Sequence, residues 1–200
     1  MDTIKEKALK NTGLLFGSFN PVHTGHLILA NYMAEFTDLD EVWLVVSPQN
    51  PLKEKKSLLA DYHRLALVRL ALEDCTKIKV TDIEFKMPKP SYTIDTLTWL
   101  SEKYPGRKFS VICGTDIFKS FKKWKNHDVL LDLYDFYVYP RPGYGLGEYK
   151  KYKNIHLYDA PLMELSSSFI RKGIKAGKNM EFYMPEKVYH YIKEMHFYEK

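Results

Sequence analysis

The chain has 200 residues, 45% of them hydrophobic and 28% charged, with a formal net charge of +5. That length fits one compact domain with a sizeable core, and the abundant aromatic residues and modest charge exclude a disordered chain. No apolar run approaches the roughly 20 residues that a bilayer span needs, and residues 1–13 (MDTIKEKALKNTG) carry charge without an apolar leader core.

The segment 12–16 (TGLLF) is a short apolar run entering a Gly/Asn/Pro turn, which reads as a buried strand. Residues 26–36 (HLILANYMAEF) follow as a helix with one apolar face, and 42–46 (VWLVV) as a second buried strand ended by Ser47-Pro48. A polar, lysine-rich loop covers 49–56. A helix over 61–73 follows, with Asp61 near its N-cap, then a short strand at 78–80 and a helix over 93–103. Residues 109–113 (FSVIC) form another buried strand that leads into Gly114-Thr115-Asp116. Strands at 135–139 and 155–157 and helices at 167–175 and 186–194 complete the chain. This alternation predicts an α/β doubly wound parallel sheet with right-handed crossovers, in one domain over 1–200 whose part from about 160 to 200 is helical. Ligands of such sheets sit outside the carboxyl ends of the strands. The segments 17–26, 47–56 and 114–116 all follow strands.

Cys75 and Cys113 lie in different apolar stretches without metal-type spacing, so both are expected to be buried free thiols in a reducing, cytoplasmic compartment. The lysines are spread along the chain as a solvated surface. The positive balance therefore suits a polyphosphate nucleotide better than nucleic acid or a membrane.

Chemistry concentrates after the first strand, in Gly17-Ser18-Phe19-Asn20-Pro21-Val22-His23-Thr24-Gly25-His26. Gly17 and Ser18 let the backbone approach a phosphate, and Pro21 stiffens the turn. The following helix start offers unpaired N–H groups and a positive dipole end. His23 and His26 can both donate toward one phosphate, and no Cys or acidic ligand accompanies them at zinc spacing. Near the other end, Leu165-Ser166-Ser167-Ser168-Phe169-Ile170-Arg171 combines helix-capping serines with a guanidinium fork three residues after Ser168.

The HxGH element His23-Thr24-Gly25-His26, paired with this Ser-rich Ile-Arg element, resembles the signatures of the adenylyltransferase superfamily, whose sheet is three-layered and Rossmann-like. Three more segments narrow the resemblance. Residues 90–97 (PSYTIDTL), Gly114-Thr115-Asp116 with Trp124 downstream, and Tyr139-Pro140-Arg141-Pro142-Gly143 are similar to elements of bacterial nicotinate-nucleotide adenylyltransferases, as is the closing stretch from Met184. The resemblance implies adenylyl transfer from ATP to nicotinate mononucleotide, giving deamido-NAD and pyrophosphate. The alternatives are nicotinamide mononucleotide or phosphopantetheine as acceptor, or a non-catalytic nucleotide-binding module. It further implies catalytic roles for His23, His26 and Arg171. ATP contacts are implied from Gly17, Ser18, Phe19 and Gly25, from Lys53, Gly114 and Asp116, and from Ser166 and Ser168. Tyr92, Thr93, Trp124 and Arg141 are implied to bind the mononucleotide. Trp124 and Tyr92 fit either stacking on a flat ring or core packing, and Asp116 fits a ribose contact and an N-cap together. Mg2+ is implied to ride on the ATP phosphates, with no metal site made by the protein alone. No nucleic-acid or membrane partner is implied, and a homo-oligomer is allowed. Two positions depart from the family: Asn20 stands where Asp is usual, and Asn50-Pro51-Leu52-Lys53 lacks a histidine, leaving Lys53 as the carried-over contact, with Lys55 and Lys56 as helpers or solvated charges.

Overall fold

The computed structural model describes residues 9–48 and 58–200, so Lys53, Leu52, Lys55 and Lys56 lie outside the described residues. In chain order the elements are β1 (Lys10–Gly17), α1 (Thr24–Phe36), β2 (Glu41–Val46), α2 (Asp61–Ala71), β3 (Ile78–Thr81), α3 (Thr93–Lys103), β4 (Arg107–Gly114), α4 (His127–Leu133), β5 (Phe136–Tyr139), β6 (Ile155–Leu157), α5 (Ser167–Lys175) and α6 (Glu186–Glu194). The strands form one parallel sheet in the order β3-β2-β1-β4-β5-β6. The order reverses between β1 and β4, the switch point where doubly wound sheets open a crevice for ligands.

The continuous apolar strands are required because helices cover both faces. Along β2, Val42, Leu44 and Val46 enter one core with Ala30, Leu67 and Val188, while Trp43 and Val45 enter the other with Leu97 and Leu130. Leu15 and Leu14 divide in the same way on β1. The C-terminal helix α6 lies on α2 through Val188 and Ile192, which share a core with Leu67 and Val68. Among the described residues, no helix is long and apolar enough to cross a membrane.

Two expectations change. Helix α4 replaces what reads as a connection: Asn126 takes a left-handed conformation (φ 51°) and starts a short helix that buries Leu130 and Leu131. Asp61 lies next to the N-cap of α2, Ala60, as expected, and in that first turn its carboxylate pairs with Arg64 and Lys89. Cys113 is buried as expected but Cys75 is exposed, because it falls in the turn just after Leu72, where the core-facing residues of α2 end.

At the amino ends of the strands, Glu41 is almost fully buried and its carboxylate gathers Lys10 of β1, Lys79 of β3 (2.7 Å) and Arg107 of β4 (2.8 Å), plus the Trp43 Nε1–H (3.1 Å). One residue thus ties four adjacent strands. Burial pushes its pKa up, but the surrounding donors outweigh burial and bring it down to about 2. The stabilisation is complete above the ordinary value of 4.5 and is lost as pH falls from there toward 2. Glu41→Gln leaves three cations without their shared anion. It is expected to lower the unfolding free energy by about 3 kcal/mol, the lower end for breaking a buried pair, because the two lysines are half exposed. Urea denaturation at neutral pH checks this, and a loss under about 0.5 kcal/mol, the size of an ordinary surface substitution, would contradict it.

Candidate functional site

A cavity of about 670 Å³ opens at the carboxyl ends of β1 and β4. Its volume lies in the range of small-molecule sites, about 300–1,000 Å³. It is lined by Gly17, His23, Gly25, His26 and Ser166, by Gly114, Asp116 and Arg141, and by Tyr92, Thr93 and Trp124.

The two histidines are built as a pair. His23 caps α1 in an extended conformation, and its carbonyl accepts the His26 N–H at 2.9 Å. The His23 N–H donates to His26 Nδ1 at 3.2 Å, which places the His26 ring proton on Nε2. The rings stack with centroids 3.6 Å apart, and the Phe19 ring meets His26 edge-on at 5.0 Å. His23 is nearly fully buried, and among the described residues its Nδ1 has no hydrogen-bond partner. Burial, helped by the Arg141 charge, pulls its pKa from 6.5 down to about 4, so the imidazole is neutral at physiological pH.

Arg141 stands at the end of β5, in a turn where Pro142 precedes Gly143 with φ 78°, the glycine position of a type II turn. Its N–H donates to Thr115 Oγ1 at 2.9 Å, its guanidinium lies over the Tyr139 ring, and its Nε is buried without a partner. A β-carbon at Gly114 would collide with Asp116 Oδ1 and approach Arg141 Cγ to 2.9 Å, so the close grouping of these residues requires glycine there. Asp116 itself is exposed, in the first turn of a 3-10 segment (Thr115–Lys119). Among the described residues, two buried nitrogens, His23 Nδ1 and Arg141 Nε, thus lack a partner, and the second is a donor whose unmet hydrogen bond a ligand acceptor would satisfy.

Tyr92 caps α3 and Thr93 begins it, and both border the cavity. Beneath them Glu84, buried, accepts from Ser91 Oγ (2.9 Å) and Thr96 Oγ1 (2.8 Å), which fixes the helix start. Trp124 is half-buried: its ring packs on Phe121 at 5.3 Å and also borders the cavity. Lys125 lies 5.1 Å over the Tyr92 ring and pairs with Asp95.

Ser18 turns its carbonyl to Arg64. The Phe19 ring is core, 1% exposed, and fills the space where a Gly17 β-carbon would lie (2.8 Å), so the glycine at 17 makes room for that ring. Ser166 caps α5, accepting the Phe169 N–H at 3.2 Å. Arg171 Nη1 donates to the Asn20 carbonyl (2.8 Å) and Nη2 to Ser168 Oγ (3.3 Å), while Ser167 Oγ donates to the Pro21 carbonyl (2.8 Å). The Ser-rich element thus bonds directly to the turn just before the HxGH element, although Ser18, Phe19, Ser168 and Arg171 do not border the cavity.

Sequence reading misses Arg64. It has no exposed surface, and its guanidinium donates to the carbonyls of Ser18, Ser47 (2.8 Å), Pro48 (3.4 Å) and Leu59 (3.0 Å) and to Asp61 Oδ1 (2.6 Å). One signal is visible: Arg64, Leu67, Val68 and Ala71 share a helical stripe, so an arginine occupies the apolar face of α2. Glu84 and Ser91, likewise buried polar residues, carry no comparable pattern.

The chain matches the cytidylyltransferase-like family over residues 14–173. A Flavobacterium johnsoniae protein named "Probable nicotinate-nucleotide adenylyltransferase" is 54% identical over 94% of this chain and 98% of its own length. A Bacteroides fragilis protein of the same name is 43% identical over 91% of this chain and 90% of its own length. Among solved structures, Plasmodium falciparum nicotinic acid mononucleotide adenylyltransferase complexed with NaAD superposes with a TM-score of 0.80 at 22% identity, covering 95% of this chain and 98% of that one, and so shares the fold.

The His23 geometry has a pH consequence. Its unfolded imidazole titrates near 6.5 and the buried one near 4, so the unfolded chain takes up a proton first as pH falls. The stabilisation is whole above 6.5 and is lost between 6.5 and 4. Denaturation curves at pH 7 and pH 4 are expected to show the unmodified protein losing about 3 kcal/mol more than a His23→Gln variant. Equal losses in the two proteins would rule the effect out.

Proposed function

Because this chain belongs to the cytidylyltransferase-like family and its nicotinate-nucleotide adenylyltransferases, we propose that it transfers the AMP part of ATP to nicotinate mononucleotide, forming deamido-NAD and pyrophosphate in NAD biosynthesis. The observation that carries the reading is the cavity itself. It joins a stacked His23–His26 pair and an unpartnered Arg141 Nε with a helix start and an aromatic wall at Tyr92, Thr93 and Trp124.

A phosphate oxygen of the mononucleotide attacks the α-phosphorus of ATP. The bond from that phosphorus to the β-phosphate bridging oxygen breaks, and pyrophosphate leaves with the electron pair. The nucleophile is already an anion, so neither a general base nor a protein nucleophile is required. Catalysis is positioning plus neutralisation of charge on the phosphates. His26 Nε2–H and the neutral His23 ring bind the α- and β-phosphates, with the backbone around Gly17 and Gly25. Ser166, Ser168 and Arg171 grip the far end of the triphosphate, and Lys53 assists. Asp116, beside Gly114, accepts from a ribose hydroxyl. Thr93 and the N–H groups at the start of α3 receive the nicotinate carboxylate, Trp124 stacks on the ring, and Arg141 neutralises the mononucleotide phosphate.

The donors around the cavity are imidazoles, a guanidinium, hydroxyls and N–H groups, and among the described residues no three His, Cys, Asp or Glu side chains converge to hold a metal. Those donors fit phosphate oxygens, and magnesium carried by ATP would be held through its phosphates and would screen their charge. The whole chain is read as one nucleotidyltransferase domain, because the bonds of Ser167 and Arg171 to Pro21 and Asn20 join the C-terminal helices to the first loop. The free thiols of Cys75 and Cys113 support a cytoplasmic location.

Pyrophosphate release from magnesium-ATP, measured in parallel with nicotinate mononucleotide, nicotinamide mononucleotide and phosphopantetheine, tests the reading. Strong preference for the nicotinate compound is the expected result. Preference for another acceptor would keep the phosphate machinery and overturn the assignment of Tyr92, Thr93 and Trp124; silence with all three would favour a binding module. His26→Ala is expected to lower kcat by roughly a hundredfold or more, the scale of losing one transition-state donor. Trp124→Ala is expected to raise KM for the mononucleotide about tenfold while KM for ATP stays put, as the loss of a stacking contact implies.

A further inference from the structure

After α6 the chain reverses onto α2. The Phe197 N–H donates to the Ile192 carbonyl at 3.0 Å, and its ring lies 4.6 Å from that of His63. Glu199 pairs with Lys193 (3.3 Å) and His196 (3.0 Å). Two residues of this tail, His196 (φ 53°) and Tyr198 (φ 66°), adopt the left-handed region that side chains disfavour, at a cost of about 1–2 kcal/mol each. Such strain persists where the surroundings over-determine it.

Tyr198 is turned back toward the first loop, and its hydroxyl donates to Asn20 Oδ1 at 2.7 Å. Burial pushes this phenol's pKa well up, and the nearby Arg171 and Arg64 charges offset only part of that, so it stays protonated and able to donate. Asn20 is itself nearly fully buried. Its Oδ1 also accepts the Leu59 N–H at 3.2 Å, where the chain emerges from the segment containing Lys53, and its backbone carbonyl accepts Arg171 Nη1 at 2.8 Å. One residue therefore connects the HxGH turn, the exit of the lysine loop and the arginine of α5. These are the three places to which the proposed function gives triphosphate contacts.

We propose that Tyr198 is a positioning residue for ATP: its hydroxyl fixes Asn20 and, through Asn20, the turn against which Arg171 is set. The inference rests on the adenylyl-transfer reading and extends it to a residue 178 positions away from the turn in sequence. The bonds from the Leu59 N–H and the Tyr198 hydroxyl arrive at the Asn20 side-chain oxygen, which an amide supplies as well as a carboxylate does.

Tyr198→Phe keeps the ring and removes the hydroxyl. Its KM for ATP is expected to rise about fivefold, the scale of one hydrogen bond, with KM for the mononucleotide changed less than about twofold and Tm lowered by no more than about 4 °C. Asn20→Ala is expected to raise KM for ATP at least as much, and the double variant no further than Asn20→Ala alone, as groups acting in one chain require. A merely structural tail would lower Tm and leave KM for ATP unchanged, or move both KM values together; either result overturns the proposal. Calorimetric binding of magnesium-ATP to the same proteins separates this inference from the reaction. If the unmodified chain binds ATP but turns over no acceptor, the reaction assignment fails, and a fivefold weaker ATP affinity of Tyr198→Phe still supports the role given to Tyr198. If the unmodified chain does not bind ATP, both fall.

Discussion

A single guanidinium with no exposed surface holds the loops that leave β1 and β2. A buried cation is tolerable only when each of its donors finds an acceptor, and Arg64 meets that requirement with four main-chain carbonyls and one carboxylate. The demand runs both ways. The Ser18 carbonyl must point at the guanidinium, and because a trans peptide is planar, the Phe19 N–H must point the opposite way. Ser47 and Pro48 are fixed likewise at the end of β2. Asp61 balances the charge and reaches Lys89, just before the segment that caps α3. The walls of the cavity are thus referred to one centre behind them.

The sheet keeps its two ends electrostatically distinct. At the amino ends, Glu41 draws the strands together with cations that it satisfies. At the carboxyl ends, His23 and Arg141 keep nitrogens that no described residue satisfies. Both arrangements follow from parallel topology, which brings like ends of β1, β2 and β4 to the same edge. The first closes on itself, and the second opens onto the cavity at the switch point between β1 and β4.

The strands were legible because residues buried on both faces leave unbroken apolar runs, as in LLF of β1, VWLVV of β2 and FSVIC of β4. The short helix α4 was not, since seven residues give too little periodicity and its start depends on the αL conformation of Asn126. In the site, the histidine pair, Gly114 and the Ser-rich helix start were visible as motifs. Their local reasons were less so: Gly17 is small because Phe19 lies beneath it, a contact between side chain and backbone that no spacing encodes. Arg64, Glu84 and Tyr198 were hidden for a common reason. Each has partners far along the chain, 46 residues away for Ser18 and Arg64, 12 for Thr96 and Glu84 and 178 for Asn20 and Tyr198, and a buried polar residue is distinguishable from a surface one only once its neighbours are known.

The neutrality of His23 carries a consequence for ligand binding itself. Its pKa is low because burial and Arg141 disfavour the imidazolium. An anion seated against the ring and beside Arg141 supplies a counter-charge to the imidazolium and screens the guanidinium. Both act to raise the pKa, and wherever it is higher in the complex than in the empty site, linkage has the complex capture a proton from solvent as it forms. The heat of association then varies with the ionisation enthalpy of the buffer that surrenders the proton.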